Sequence, residues 1–175
     1  MRNLFLVFVV VILTWTFPAK SAEVGDIYYH DKTFSNKVNP DKVPIGVVFW
    51  VSPDNNFGLV VSLEQIPNPL NITDANAYCT NFSTLGTSPG SWVLPRIDDL
   101  LKLGNSYNRQ TKSIINNLTK INNVLKTIDI ASQIKETRYI AYSNTGYSYK
   151  VNLTTGNLAS TNSNEKLEVR CITGF

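Results

Sequence analysis

Two cysteines, Cys79 and Cys171, are the only ones in the chain, and they follow an N-terminus that reads as an export signal. Two cysteines in an exported chain suggest one disulfide, with two buried free thiols as the alternative. Closing a loop of roughly 90 residues would stabilise the fold by about 4–5 kcal/mol in the chain-entropy model.

The export reading rests on the order of residues at the start. Met1 and Arg2 are a short positive region, Leu4 to Leu13 is unbroken apolar sequence, and Ala19-Lys20-Ser21-Ala22 is a small-residue cleavage region. Ala19-x-Ser21 places cleavage after Ser21, or one residue later after Ala22. The apolar run is shorter than the roughly 20 residues a membrane span needs. An uncleaved anchor is the alternative, and either way the remainder leaves the cytoplasm. The division expected is a signal peptide at 1–22 and one domain at 23–175, secreted, periplasmic or at the cell surface.

The formal charge of +3 overstates the domain, because Arg2 and Lys20 belong to the leader. Charge is also uneven: Glu23 to Leu101 holds nine acids and four bases, and Lys102 to Arg138 holds seven bases and two acids. A cationic stretch of this kind can meet acidic glycans, nucleic acid or anionic membrane surfaces, or be a solvated helix face. No nucleic-acid partner is expected.

Strand and helix patterns alternate along the domain. Val24 to Tyr29 opens as a strand, and Pro44 to Val51, rich in β-branched and aromatic residues, is the strongest one. The turn cluster Ser52 to Gly58 joins it to Leu59–Leu63 as a hairpin. Thr73 or Asp74 caps a helix through Ala75 to Cys79, and Ser83 to Ser91 is loop. Pro95 starts a second helix, Arg96 to Gly104. Ile114, Leu118, Ile121, Leu125 and Ile128 are spaced 4, 3, 4, 3, an amphipathic helical stripe that packs a core or forms a short oligomer seam. Asn pairs at 116–117 and 122–123 weaken that helix. Tyr139–Ser143, Tyr147–Leu153 and Leu167–Ile172 close the chain as strands.

Several of these pieces, in this order, resemble a known family. They are the helix with Cys79, then Trp92-Val93-Leu94-Pro95-Arg96-Ile97-Asp98-Asp99-Leu100, then Tyr139-Ile140-Ala141-Tyr142-Ser143-Asn144-Thr145, then Val169-Arg170-Cys171-Ile172. The chain is similar to the bacterial DUF1566 family, also called the Lcl C-terminal domain family, over roughly Val24 to Ile172. It departs from that pattern at Asp99, where the family has Glu, and at Ile140 and Ala141, where it tends to have Trp and Ser. The resemblance implies an α+β, C-type-lectin-like fold, two or three helices packed on a small twisted antiparallel sheet. It also implies that Cys79 in the first helix bonds to Cys171 in the last strand.

The chemistry of catalysis is thin. His30 is the only histidine, lies between Tyr29 and Asp31, and reads as a surface turn residue. A Ser-His-Asp or Cys-His site would have to use it. Zinc needs several His or Cys ligands. Calcium needs clustered oxygens, and the E-P-N, Q-P-D and W-N-D motifs of sugar-binding C-type lectins are missing. Formylglycine-generating enzymes, related through the fold, rely on metal-binding cysteines that this chain cannot spare. Asp98 and Asp99 suit a helix N-terminus. Sequons at Asn71, Asn81, Asn117 and Asn152 are read as chance in an Asn-rich chain.

The expectation is therefore an exported non-catalytic binding or adhesion module with no cofactor and no metal. The candidate partner is an anionic glycan or another surface protein. The competing expectation is a structural subunit of a surface assembly with no soluble ligand, self-associating through the 4-3-4-3 stripe. In a lectin-like fold the variable surface is about 105 to 164. There Tyr142, Asn144 and Tyr147 would stack or hydrogen-bond, and Arg109, Lys112 and Arg138 would pair with sulfate or carboxylate.

Overall fold

The computed structural model describes residues 21–108, 113–143 and 147–175. Residues 1–20 of the leader expected at 1–22, and Arg109, Lys112 and Asn144 among the expected ligand contacts, lie outside them. Strands β1 (Ile27–Tyr29), β2 (Phe34–Ser35), β3 (Pro44–Val51) and β4 (Gly58–Ser62) precede helices α1 (Ile72–Asn81) and α2 (Ile97–Leu103). Then come β5 (Asn105–Asn108), β6 (Ser113–Asn116), α3 (Asn117–Ile128), a 3₁₀ turn at Ile130–Ser132, β7 (Arg138–Tyr142), β8 (Ser148–Asn152), β9 (Leu158–Ser160) and β10 (Ile172–Gly174). The protein is α+β: three helices on antiparallel sheets, with one disulfide.

The central sheet runs β10-β4-β3-β1-β2, so the last strand pairs with the hairpin laid down early in the chain. Ile45 to Phe49 are buried without alternation, because both faces of the sheet are covered. Ile45, Val48 and Val60 pack with α1, Trp92 and Val169 on one side. Val47, Phe49 and Val61 pack with Leu100, Leu103 and the stripe of α3 on the other. A bulge between Val48 and Trp50 turns the end of β3. Two smaller sheets, β5-β6 and β7-β8-β9, complete the body. β7 joins both clusters, Ile140 facing one and Tyr139 and Ala141 the other.

Local chemistry explains the helices and corrects three expectations. The cap of α1 is Asn71, not Thr73 or Asp74: its Oδ1 accepts the Asp74 N–H at 2.9 Å. Asp98 and Asp99 lie in the first turn of α2 as expected, and the Asp99 carboxylate accepts the Arg96 N–H at 3.0 Å. The 4-3-4-3 stripe does not begin in a helix, since Ile114 belongs to β6 and α3 starts at Asn117. Leu118, Ile121 and Leu125 are fully buried in the chain's own core, and Ile128 is partly buried against it. Two of the Asn residues that weaken the helix act as tertiary clamps. Asn122 donates to the Ile134 carbonyl at 2.9 Å and accepts the Ile134 N–H at 2.7 Å. Asn117 donates to the Lys102 carbonyl at 2.8 Å.

The final strand is the third correction. Leu167–Ile172 is not a continuous strand: Leu167 and Glu168 make isolated bridges, and only Ile172–Gly174 ladders with β4. The segment between is held by side chains instead. Cys171 is bonded to Cys79, with the two Cα atoms 5.4 Å apart. Arg170 turns fully inward. Its Nε donates to the Ser62 carbonyl at 2.9 Å, Nη1 to Gln65 Oε1 at 2.9 Å, and Nη2 to the carbonyls of Leu63, at 3.0 Å, and Ser132. Burial lowers its pKa to about 10, so it remains a cation at neutral pH. Gln65 in turn donates to Glu168 at 2.9 Å, and Glu168 pairs with Lys135 at 2.8 Å.

Candidate functional site

Of the ligand contacts expected around 105–164, Arg138, Tyr142 and Tyr147 are among the described residues. Arg138 and Tyr142 stand at opposite ends of β7, about 13 Å apart along an extended strand. Arg138 is exposed, Tyr142 half-buried against the core, and Tyr147 exposed. Two cations of the stretch, Lys102 and Lys135, have direct internal partners. Lys102 lies 4.2 Å from the Trp50 ring centre and 3.9 Å from the Asp99 carboxylate. Lys135 pairs with Glu168, and Arg138 adds to the positive surroundings that keep the Glu165 carboxyl below its usual range, chiefly through a hydrogen bond from Lys150. Ile140 and Ala141, where the resemblance has Trp and Ser, are buried.

A different concavity is better built. A cleft of about 730 Å³ is lined by Tyr28, Lys32, Phe34, the loop residues Gly86, Thr87, Ser88 and Ser91, and the end of the last strand, Thr173 to Phe175. Three aromatic rings form one wall. Tyr28 stacks on Phe34 at 5.1 Å between centroids with 21° between planes, and Phe175 leans on Phe34 at 4.6 Å and on Tyr28 at 5.9 Å. Tyr28 is buried, whereas Phe34 and Phe175 keep exposed surface. The opposite wall is hydroxyl-rich. Thr87 holds it in shape, accepting from Trp92 Nε1 at 3.1 Å and from the Thr84 N–H at 2.8 Å. Thr173 donates to the Ser91 carbonyl at 2.7 Å, tying the loop to β10. Among the described residues Lys32 is the only lysine or arginine on the lining.

Backbone geometry fixes the two walls against each other. Gly86 has φ +80°, and a Cβ there would lie 2.1 Å from the His30 carbonyl oxygen. Only glycine meets both conditions. Gly86→Ala is expected to lower stability by about 2–3 kcal/mol, since the strained φ and the backbone clash act together. Thermal unfolding of the purified variant measures it, and a loss below about 1 kcal/mol would mean the loop simply moves aside.

His30 Nδ1 accepts the Val43 N–H at 3.3 Å, in the turn where the sequence placed it. Among the described residues no group of three His, Cys, Asp or Glu is disposed to hold a metal ion, and no helix is long and apolar enough to cross a membrane. The side-chain amides of three sequon residues are engaged: Asn71 donates to Asp74, Asn81 to the Ala77 carbonyl, and Asn117 to that of Lys102.

The aromatic cleft was not foreseen because its parts are scattered over the chain. A scan against protein-family models and a search of curated proteins both return no match for this chain.

Proposed function

We propose that this chain is an exported, non-catalytic binding module with a C-type-lectin-like body of the DUF1566 type. Its ligand site is the cleft between Phe34, Phe175 and the 84–91 loop, and its ligand is a glycan. The observation that carries this reading is the pairing of an aromatic wall with a hydroxyl wall across one cleft. A pyranose ring has an apolar face of C–H groups and an edge of hydroxyls. The first suits the exposed surface of Phe34 and Phe175, and the second suits Ser88 and Ser91. Lys32 at the rim favours sugars bearing sulfate or carboxylate, by a charge-assisted hydrogen bond. The disulfide between α1 and the segment before β10, in a chain with an export-type leader, supports the extracellular part of the reading.

A glycan array probed with the mature protein at two salt concentrations tests this. Binding to acidic pyranosides is expected, weakening with salt. Phe34→Ala is expected to reduce affinity about tenfold, roughly 1.4 kcal/mol, while Arg138→Ala and Tyr142→Ala leave it unchanged. No glycan retained, or a loss in Arg138→Ala with Phe34→Ala unaffected, would overturn the assignment.

A further inference from the structure

We propose that a second groove, along α1, is a docking site for a basic segment of a partner protein and seats the side chain of a lysine or arginine. The groove, about 630 Å³, is lined by Leu70, Tyr78, Phe82 and Ala77 and carries two carboxylates, Glu64 and Asp74. Its floor is apolar and rigid: the Tyr78 and Phe82 rings stack at 6.0 Å with 18° between planes, and Phe82 is anchored edge-on to buried Trp92. The Tyr78 hydroxyl donates to Glu64 Oε1 at 2.6 Å, which holds that carboxylate beside the ring. Burial, reinforced by this carboxylate, raises the Tyr78 pKa to about 12, so the phenol stays neutral and a donor. Asp74 lies one turn before Tyr78 on the same helix face, oriented by a 2.8 Å hydrogen bond from Asn71 Nδ2.

Charge complementarity selects the occupant. Among the described residues no lysine or arginine lines the groove and neither carboxylate has a basic side chain within ion-pair distance, although buried Arg170 interacts electrostatically with Glu64 from farther away. A basic side chain satisfies every part at once. Its hydrocarbon stem covers Leu70 and Phe82, its head faces the Tyr78 ring, and the two carboxylates accept its N–H groups. The lining on α1 runs from Asp74 to Asn81, about 10 Å along the axis, and continues beyond the helix through Phe82 and Ser83. That length suits a peptide segment better than one small cation. The groove does not depend on the glycan cleft, and either assignment can fail alone.

The test is an amide NMR titration of the disulfide-intact mature protein. The probe is a capped pentapeptide alternating leucine with arginine, and its control replaces arginine by citrulline, which keeps the shape and loses the charge. The arginine peptide is expected to give saturable shifts at Ala77, Asn81 and Ser83, with at least tenfold weaker binding of the citrulline peptide. Glu64→Gln combined with Asp74→Asn should lower affinity about tenfold. Ala77→Trp, at an exposed helix position, should block the groove with both carboxylates intact. Absent shifts, equal binding of the two peptides, or binding that survives in both variants would overturn the proposal.

Discussion

Arg170→Met is expected to lower the free energy of unfolding by about 3–5 kcal/mol. Replacing a buried ion with an apolar side chain is often harmless when its partner is replaced too. Here the partners stay. Arg170 satisfies the carbonyls of Ser62, Leu63 and Ser132 and the amide oxygen of Gln65 from one planar group. Methionine fills the volume but donates nothing: the carbonyls of Ser62 and Ser132 lose this donor in buried positions and that of Leu63 in a part-buried one, while Gln65 Oε1 keeps a 3.4 Å contact from the Tyr139 hydroxyl, at a cost of about 1–3 kcal/mol for each oxygen that finds no other partner. The site joins the end of β4, the 3₁₀ turn and the last segment, so relaxation at one acceptor disturbs the others. Arg170→Lys should rescue little, because an ammonium cannot span acceptors arranged around a guanidinium. Urea unfolding reads the effect as a fall of about 2 M in midpoint with the slope retained, taking a slope near 2 kcal/mol/M. A loss under 1 kcal/mol would show that this buried cation is not a structural hub.

The Cys79→Ala, Cys171→Ala double variant should lose about 4–5 kcal/mol, from the freedom its unfolded chain regains when a loop spanning 92 positions is no longer closed. Both sulfurs lie in the buried cluster with Trp92 and Val169, so their removal also leaves a small void. Dithiothreitol should bring the wild-type midpoint down to that of the variant and leave the variant where it was. Equal stability of oxidised and reduced wild type would contradict this. Cys171 and Arg170 are neighbours in the same pinned segment, so the two effects should not simply add.

How much the sequence disclosed follows from how local each signal is. Pro44–Val51 was legible to its ends because a continuous β-branched run bounded by a turn cluster has few other readings. The start of α1 was blurred by Asn71-Ile72-Thr73-Asp74, which offers three capping residues within four positions. Ile114 extended the helical spacing across a strand–helix junction, and the Asn116–Asn117 pair was the better marker of the boundary. The inward turn of Arg170 had no signal, since arginine reads as surface unless its acceptors are known, and those lie more than a hundred positions away for Ser62, Leu63 and Gln65. The candidate cleft was illegible for a similar reason. Phe34, Thr87 and Phe175 meet only because β10 pairs with β4 and the loop at Ser91 bonds to Thr173.

Hydrogen–deuterium exchange of the mature protein, with and without the best glycan from the array, tests the central claim most directly. Ligand protection is expected in peptides covering 84–91 and 172–175, with 138–152 unchanged. Protection confined to 138–152, with the two cleft segments exchanging as fast as in the free protein, would contradict it.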